Sequence, residues 1–552
     1  MSAGWARAAG GVSALLCAAV GWAAGPTPAS VGASVYLQGV SGSGQSIEAS
    51  RGNAARSQGA AVACVQCHRH SGLGVSTGFG EKDRGVIIPP ITGQYLFHSR
   101  DAPFDEAALA YVQNARANRG TYTDATLARA IRDGIDPDGR TLSYLMPRFA
   151  LNDADMAALI AYLKGLGQGE VPGVTAKLLH FATIITPDAD PVKRAGMLTV
   201  MEQYFADKNT FPFPPSPPMR SSGKTLYAKS MYMANRHWQL HVWELTGPSA
   251  AWGQQLERHL AAEPVLAAVS GLGGSEWTPV HEFCQRAHLP CLFPNAEVPV
   301  VAEQDFYTLY FSRGVLLEAD LIADRLQAEG GAPVKSVLQV YRAGDSGERA
   351  ARVLAATLQH RGVAVRNEAL GAGASDERLN KAVHGAGADA LVLWLRPTDI
   401  AALGTADAAP ARVYLSGLMG GLEHAPLPIG WRSRTLMAYP FDLPDRSRVR
   451  VQYPLQWFSI RHIPLIAEQV QIDTYLACGL LAETLSHLSD TFARDYIVER
   501  AESMIEHRLM TGPYPHLTLA EGQRFASKGG FLVHFAGAEG TLQADGDWTI
   551  PE

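Results

Sequence analysis

The sequence predicts a multidomain chain, in which a small all-α domain is followed by a two-lobed α/β domain with doubly wound parallel sheets. Three observations predict this arrangement. Helical periodicity follows an early cysteine motif up to about residue 166, the glycine-rich segment Gly165–Gly173 interrupts it, and from residue 178 buried strands alternate with amphipathic helices in two successive series. We therefore expect domains at 32–166 and 178–540, joined by a linker at 167–177.

Composition and the amino terminus limit the possible classes of protein. The chain has 552 residues, 47% of them hydrophobic and 18% charged, with a net charge of -6, which gives no reason to expect nucleic-acid binding. Arg7 precedes a short apolar run, Val12–Val20, that ends in small residues near Ala24. This pattern predicts a signal peptide over 1–25, and no later stretch is apolar enough for a membrane helix. We expect a periplasmic protein.

The chemistry of the first domain is indicated by Cys64-Val65-Gln66-Cys67-His68. A C-x-x-C-H pentad is the attachment signature of c-type haem: each thiol forms a thioether to the porphyrin, and the histidine ligates the iron. The alternatives are a zinc site, which needs a second ligand pair, and a thioredoxin-type dithiol, which follows a strand. The remaining cysteines stand singly, and the pentad follows a polar stretch, so we predict one haem c.

A second axial ligand is offered by Met146, in Leu142-Ser-Tyr-Leu-Met146-Pro147. A thioether is a soft neutral ligand that raises the haem potential. His70 and His98 are the alternatives, with Met146 instead a packing residue. His70 lies only two residues after His68, which leaves His98 as the main rival.

Helices are predicted on either side of this methionine segment. Asn152 has the character of an N-cap, and apolar residues then recur at helical spacing at Met156, Leu159, Ile160 and Leu163. Two earlier helices are predicted at Phe104–Asn118 and Thr123–Gly134.

With these motifs the first domain resembles the class I c-type cytochromes. The resemblance implies that a carbonyl of the Pro89-Pro90 loop, assigned to Pro90, accepts a hydrogen bond from the His68 imidazole and so fixes its tautomer. One departure is the segment before Cys64, where glycine- and serine-rich stretches replace the amphipathic first helix of that family.

In the second domain, strands and helices alternate regularly. The predicted strands are Leu179–Ile185, Trp238–Leu245, Val265–Ser270, Leu289–Phe293, Lys335–Tyr341, Val363–Asn367 and Ala390–Leu395, and the predicted helices include Trp252–Ala261, Trp277–Arg286 and Gly347–Arg361. Repeated strand-helix units form parallel sheets.

This region resembles the type I periplasmic binding proteins, the Leu/Ile/Val-binding group of ABC transporter substrate-binding subunits. The segments that carry the resemblance are Gly271–Ser275, Pro294–Pro299, Tyr310–Gly314, Gly512–Thr518 and Phe525–Gly530. It implies ligand contacts in a cleft between lobes, or else these positions are ordinary loop residues of the fold. The implied contacts are Gly274, Ser275, Trp277, Ala296 and Glu297 in the first lobe, and Ser346 and Ser416 to Met419 in the second.

Two features set limits on the ligand. Backbone N–H groups at the helix starts after Ser275 and Ser346 are expected to hold a ligand carboxylate. Glu297, however, stands where amino-acid binders of this group place a hydroxyl, and its charge would repel that carboxylate. The proline-rich insertion Phe211–Pro218 is a further departure.

Cys284 and Cys291 are candidates for a disulfide, because the expected compartment is oxidising. They can bond if their Cα atoms lie within about 7 Å, and otherwise remain separate buried thiols.

These features favour an electron-transfer protein with one His/Met haem c and a receptor-like domain that binds a small molecule or docks a partner. The partner would be a periplasmic quinoprotein dehydrogenase or another cytochrome. The alternative is an ABC transporter substrate-binding receptor with an accessory haem. An oxidase or peroxidase would need Met146 to leave the iron, so we expect no enzyme activity.

Overall fold

The computed structural model describes residues 27–52, 56–76, 87–97, 120–210, 236–302, 304–327, 333–384, 387–407, 409–486, 488, 492–508, 510–520, 522–536 and 540–551. Within these ranges the chain forms two compact units: residues 27–68, 91–97 and 120–166 in the first, and the other described residues in the second. The predicted signal peptide (1–25), His98, the predicted helix Phe104–Asn118 and the insertion Phe211–Pro218 lie outside the described residues.

The first unit is mainly helical. Its helices are α1 Pro28–Gln38, α2 Val65–His68, α3 Gly93–Phe97, α4 Asp124–Asp133 and α5 Asp153–Gly165, with a 3-10 turn at Gly59–Val62. Short strands β1 Glu48–Ser50, β2 Ser57–Gln58 and β5 Arg148–Phe149 form a small antiparallel sheet. The helices predicted around residues 123–134 and after Asn152 are present, and the Asn152 side chain caps α5 by accepting from the Asp155 N–H at 2.9 Å.

Helix α1 is the element that the sequence reasoning missed before Cys64. It packs closely on α5, where a Cβ added at Gly32 would lie 2.2 Å from the Ala158 carbonyl oxygen and 2.7 Å from the Tyr162 Cβ. The ring of Tyr36 also contacts that of Tyr162 at 5.2 Å between centroids. An amphipathic pattern does not mark α1, because the helix has no charged residue to define a polar face opposite its buried Val35 and Tyr36.

Gly32→Ala is therefore expected to lower the free energy of unfolding of the first unit by about 2 kcal/mol, because α1 and α5 must separate to admit the added methyl group. Gly165→Ala, at the exposed end of α5 with no atom within 4 Å of the added Cβ, should instead raise it by about 0.5 kcal/mol. Urea denaturation, with hydrogen exchange reporting on α1 and α5, measures both. Equal effects of the two substitutions would contradict the close helix contact.

The second unit contains two parallel sheets. It begins with a small hairpin, β3 Val75–Ser76 and β4 Ile87–Ile88. The first lobe has strands β6 Leu178–Ile185, β7 His237–Glu244, β8 Ala267–Val269, β9 Leu272–Gly273, β10 Cys291–Leu292, β11 Asn295–Ala296 and β12 Thr308–Leu309, with helices α6 Pro191–Lys208, α7 Trp252–Ala262 and α8 Thr278–Arg286. The described strands run in the order β11-β9-β6-β8-β10-β12, with β7 also paired to β6.

The second lobe repeats the pattern. Its strands are β13 Ser336–Arg342, β14 Ala364–Leu370, β15 Ala390–Trp394, β16 Arg412–Ser416, β17 Thr435–Tyr439, β18 Phe531–Ala536 and β19 Thr541–Ala544. Its helices are α9 Val315–Gln327, α10 Ser346–His360, α11 Asp376–Val383, α12 Pro397–Ala401, α13 Gly417–Gly420 and α14 Ile429–Arg432. Three further helices, α15 Pro444–Ile460, α16 Glu468–Ser486 and α17 Arg494–Ile505, complete the unit.

The strand order of the second lobe shows where its sheet reverses direction. The sheet runs β14-β13-β15-β16-β17-β18-β19, parallel except for the last two strands. Its direction of winding reverses between β13 and β15, and doubly wound sheets bind ligands at the carboxyl ends of strands beside such a reversal. Ser346 follows β13 there, and Arg396 follows β15. The predicted doubly wound architecture is thus present.

Among the described residues, no helix combines the length and the apolar character needed to cross a bilayer.

Candidate functional sites

The C-x-x-C-H motif forms one helical turn at α2. The Cys64 carbonyl oxygen accepts the N–H of Cys67 at 3.2 Å and that of His68 at 2.9 Å. Residues three and four apart on a helix share a face, so this turn brings both thiols and the imidazole together. His68 is only 5% exposed, whereas both cysteines are partly exposed free thiols. The turn can therefore hold a covalent haem against a buried axial ligand.

The surroundings of the turn are apolar, as a porphyrin requires. Cys64 and Met146 both pack against the hydrophobic core of the first unit, which is built around Val35, Leu127 and Leu159. Although the residue as a whole is partly exposed, desolvation of the Cys64 sulfur raises the pKa of its thiol to about 12. No group of three or more His, Cys, Asp or Glu side chains positioned for a metal ion occurs in the described part of the chain, so the zinc alternative finds no second ligand pair there.

The loop that carries Met146 is held by Arg148. The guanidinium of Arg148 donates to the Met146 carbonyl and, at 3.2 Å, to that of Leu142. It lies directly over Gly134, the C-cap of α4, whose φ of +71° favours glycine. Pro147, after the methionine, is buried. The loop thus has a defined conformation in which Met146 contacts the same cluster as Cys64.

Two other residues of the haem hypothesis belong to the second unit. Pro90 is buried shortly after the β3–β4 hairpin, and its role as acceptor for His68 stays a prediction. The His70 ring stacks on Phe306, with 3.8 Å between centroids. That contact gives the His70 imidazole a packing role, and it leaves His98 as the rival to Met146.

In the second unit, Glu297 lies at the centre of a cluster of ionic groups at the lobe cleft. Its carboxylate accepts from Lys193 Nζ at 2.8 Å, from Ser346 Oγ at 2.6 Å and from both terminal nitrogens of Arg396 at 2.9 and 2.6 Å. Burial alone would raise the pKa of Glu297, but Lys193 and Arg396 hold it well below its ordinary value. Arg396 also pairs with Asp345. We call these five residues the Glu297 cluster.

The Glu297 cluster changes the interpretation of the predicted ligand contacts. Glu297 follows β11 of the first lobe, whereas Ser346 and Arg396 belong to the second, so the cluster ties the lobes together. The Ser346 hydroxyl, expected beside a ligand carboxylate, already binds the carboxylate of Glu297, and its N–H donates to Asp345 at 2.7 Å. Glu297 is therefore neutralised within the protein and takes donors that the sequence assigned to a ligand.

The ligand contacts predicted in the first lobe are also taken up by other groups of the protein. The N–H and Oγ of Ser275 donate to Asp188 Oδ2 at 2.8 and 3.1 Å. Gly274 is buried against the same carboxylate, and Trp277 is 2% exposed with its ring against Gly271 and Gly273. Ala296 lines the cleft.

Ser416, the other second-lobe prediction, is a core residue in the structure. It is fully buried, and its hydroxyl donates to Glu318 on α9 while accepting the Met419 N–H at 3.2 Å. Glu318 also accepts the Leu418 N–H at 2.8 Å, and burial raises its pKa to about 8. The predicted exposure of Ser416 to a ligand is not found, because this buried carboxyl takes the hydroxyl.

The disulfide candidate is present. Cys284, on α8, and Cys291, on β10, are bonded through their sulfurs with Cα atoms 6.3 Å apart, and both are buried. The bond joins a helix end to the next strand across a separation of seven residues. Cys478 remains a buried free thiol.

Sequence reasoning missed Lys193, Arg396, Asp345 and Asp188, which occupy the predicted contacts. Arg396 carried a usable signal, since it stands at the carboxyl end of the apolar strand Ala390–Trp394, where doubly wound sheets place binding groups. Asp188 and Asp345 carried the same signal, since they follow the carboxyl ends of β6 and β13, whereas Lys193 lies within α6 and gave none.

Comparison with known proteins identifies the first domain. Residues 54–167, which include the C-x-x-C-H turn and Met146, match the family model described as cytochrome c. No curated protein sequence matches the chain.

Solved structures resemble the second domain. An ABC transporter substrate-binding protein from Sphaerobacter thermophilus matches over 68% of this chain and 98% of its own, with 14% sequence identity and a TM-score of 0.50. A fatty acid ABC transporter substrate-binding protein from Thermomonospora curvata matches over 70% and 95%, with 15% identity and a TM-score of 0.49. The likeness to the Sphaerobacter thermophilus protein shows a shared fold.

The chain thus combines a cytochrome c domain with a larger α/β domain that has the fold of the ABC transporter substrate-binding proteins.

Proposed function

We propose that the protein is a periplasmic electron carrier. Cys64 and Cys67 would hold one haem c through thioethers, with His68 and Met146 as axial ligands and Pro90 orienting His68. When bound, the haem supplies a one-electron iron couple whose potential is raised by a thioether ligand. The observation that carries the proposal is the contact of Cys64 and Met146 with one apolar cluster, beside the buried His68.

Two protein ligands on the iron favour electron transfer over catalysis, since they leave no coordination position for a substrate. We therefore propose no enzyme activity for this domain. Electrons would be exchanged with another periplasmic redox protein, a quinoprotein dehydrogenase or a second cytochrome. The predicted amino-terminal signal supports this compartment, in which haem c is attached.

Met146→Leu is expected to remove the weak far-red absorption band that methionine ligation gives to the ferric protein. Leucine has nearly the same volume but no sulfur, so the fold should be retained while the ligand is lost. Met156→Leu is the matched control, because Met156 is buried on α5 in the same unit and is not assigned to the iron. Visible spectra of the oxidised and reduced proteins measure the effect.

A far-red band that survives Met146→Leu would reject Met146 as the ligand. If the parent protein lacks the methionine band and neither substitution changes the spectrum, His98 is favoured as the axial ligand instead.

For the second domain we propose small-molecule binding. The supporting observation is a cavity of about 620 Å³ beside the Glu297 cluster, within the 300–1,000 Å³ range of typical ligand pockets. This cavity also favours the second candidate function, a substrate-binding receptor for an ABC transporter with an accessory haem. The two candidates differ in one measurement: ligand affinity that is the same for oxidised and reduced protein favours the receptor, and a difference favours a coupled redox function.

A further inference from the structure

The carboxylate of Glu297 lies among four hydrogen-bond donor atoms, two on each oxygen. Its Oε1 accepts from Lys193 Nζ at 2.8 Å and from Arg396 Nη1 at 2.9 Å. Its Oε2 accepts from Ser346 Oγ at 2.6 Å and from Arg396 Nη2 at 2.6 Å. The two terminal nitrogens of Arg396 thus meet the carboxylate as a fork, which is the geometry in which guanidinium groups bind carboxylate ligands. We call these four donor atoms the carboxylate cradle.

The carboxylate cradle is assembled from both lobes, as a ligand site in a cleft is. Lys193 lies in the first turn of α6 in the first lobe, whereas Ser346 begins α10 and Arg396 follows β15 in the second. Two-lobed binding domains close around a ligand that contacts both sides of the cleft. Glu297, which follows β11 of the first lobe, makes such a contact from within the chain.

The backbone of Glu297 is held on both sides, and its side chain faces the cavity. Its N–H donates to the Gly273 carbonyl at 3.2 Å, and its own carbonyl accepts the Val315 N–H at 3.1 Å. The side chain is 19% exposed and lines the cavity of about 620 Å³. A carboxylate from solution would therefore reach the cradle once the Glu297 side chain is shortened.

The other charged groups of the cavity wall offer little attraction to an anion. Lys193 also lines the cavity, but its ammonium is engaged by Glu297. Among the described residues, the remaining charged side chains of the wall are four carboxylates and one guanidinium: Asp190, Glu423, Glu468, Asp473 and Arg448. Like charges at short range repel, so the cradle is the part of this cavity best suited to a carboxylate, and Glu297 fills it.

We propose that Glu297 is a specificity-determining residue, whose side chain fills the carboxylate subsite of the cleft so that the second domain selects small molecules without a carboxylate. This role rests on the proposed small-molecule function of the domain and deepens it by naming the ligand class that the cleft excludes. A free acid has to displace a group that is tethered beside its donors, and tethering gives that group a high effective concentration. The acid therefore competes poorly for the cradle.

Shortening this side chain should turn the cleft into a carboxylate-binding site. In Glu297→Ala the four donors lose their acceptor, and acetate from solution can replace it. Calorimetry on the full haem-loaded chain near pH 7 measures the unfolding midpoint of the second domain. For Glu297→Ala we expect a midpoint about 3 °C higher in about 100 mM sodium acetate than in sodium chloride at the same ionic strength. The parent protein should unfold at the same temperature in both salts.

The alanine variant is expected to be less stable than the parent in chloride, because Lys193 and Arg396 then repel each other without a shared anion. If it lacks a native transition in chloride, its recovery in acetate, followed by circular dichroism, gives the same readout.

Glu297→Gln is the matched control, because the amide has the shape of the carboxylate and still fills the cradle. Acetate should give this variant no stabilisation beyond that of chloride. Acetamide, the neutral analogue of acetate, should not stabilise Glu297→Ala. Adding Arg396→Gln to Glu297→Ala removes the fork of donors and should abolish most of the acetate effect.

The outcomes separate the role of Glu297 from the function beneath it. A Glu297→Ala variant without acetate-specific stabilisation, or the same shift in every variant and the parent, would overturn this role and leave small-molecule binding in place. Acetate stabilisation of Glu297→Ala, together with no stabilisation of the parent by any uncharged compound in a thermal-shift screen, would instead overturn the small-molecule function and leave the cradle as assigned.

Discussion

Replacing Cys64 and Cys67 together with serine is expected to abolish covalent haem attachment. The two thiols project from one helical turn beside the buried His68, and a serine hydroxyl forms no thioether. Intact-protein mass spectrometry after expression with the haem-attachment machinery should show the parent chain heavier by one haem and the double variant at the bare polypeptide mass. The absorption bands of the haem should disappear with it.

Cys478→Ala provides the control for the cysteine substitution. Cys478 is a buried free thiol on α16 of the second unit, with no role in haem attachment. This variant should keep the full haem mass. A parent protein found at the bare polypeptide mass would remove the electron-carrier proposal altogether.

Removing the charge of Arg396 is expected to destabilise the second unit clearly, because Arg396 holds two carboxylates of the lobe cleft. Arg396→Gln deletes two hydrogen bonds to Glu297 and the pairing with Asp345, and it leaves Glu297 with Lys193 as its cationic partner. Breaking one side of a fully buried ion pair costs about 3–5 kcal/mol. Because the Arg396 side chain is 30% exposed, we expect about 2–3 kcal/mol, measured by urea denaturation.

Arg349→Gln is the matched control. Arg349 pairs with Glu276 at 2.9 Å, but its side chain is 46% exposed, so its removal should cost less than about 1 kcal/mol. Similar losses from both variants would show that the Glu297 cluster contributes no more than a surface ion pair.

The pH dependence of the Arg396 effect follows from Glu297. The folded-state pKa of this carboxyl is depressed, so its contribution to stability is complete above the unfolded value of about 4.3 and declines as the pH falls toward the folded value. The difference between parent and Arg396→Gln should therefore be constant from pH 8 to about pH 5 and shrink below pH 4. A difference that grew on acidification would contradict this assignment.

Much of the fold was predictable because its signals are local. The strands at Leu178–Ile185 and Ala390–Trp394 are buried on both faces and therefore appear as short apolar runs, bounded by turn residues. The Asn152 cap and the periodic helix after it depend only on neighbouring residues. Helix α1 was missed because it has no charged residue, so its buried Val35 and Tyr36 are not set off by a polar face.

The position of the cleft was predictable from the sequence, but the hydrogen-bond partners of its residues were not. Ala296 and Glu297 do line the cleft, as parallel strands require, and Ser346 is hydrogen-bonded to Glu297. Their hydrogen-bond partners, however, are brought from elements up to 104 residues away, as in the pair of Lys193 and Glu297. Ser416 and Ser275 illustrate the same limit, since Glu318 and Asp188 take their hydroxyl groups.

The sequence by itself determined the haem-attachment turn, the division into a helical domain and a doubly wound α/β domain, and the edge of the sheets where binding groups lie. Each depends on spacing along the chain or on the fixed direction of parallel strands. Only the tertiary structure decided that Glu297 is paired with Arg396 and Lys193, and that Glu318 takes the hydroxyl of the buried Ser416. Those properties depend on burial and on the distances between atoms remote in sequence, which no local pattern encodes.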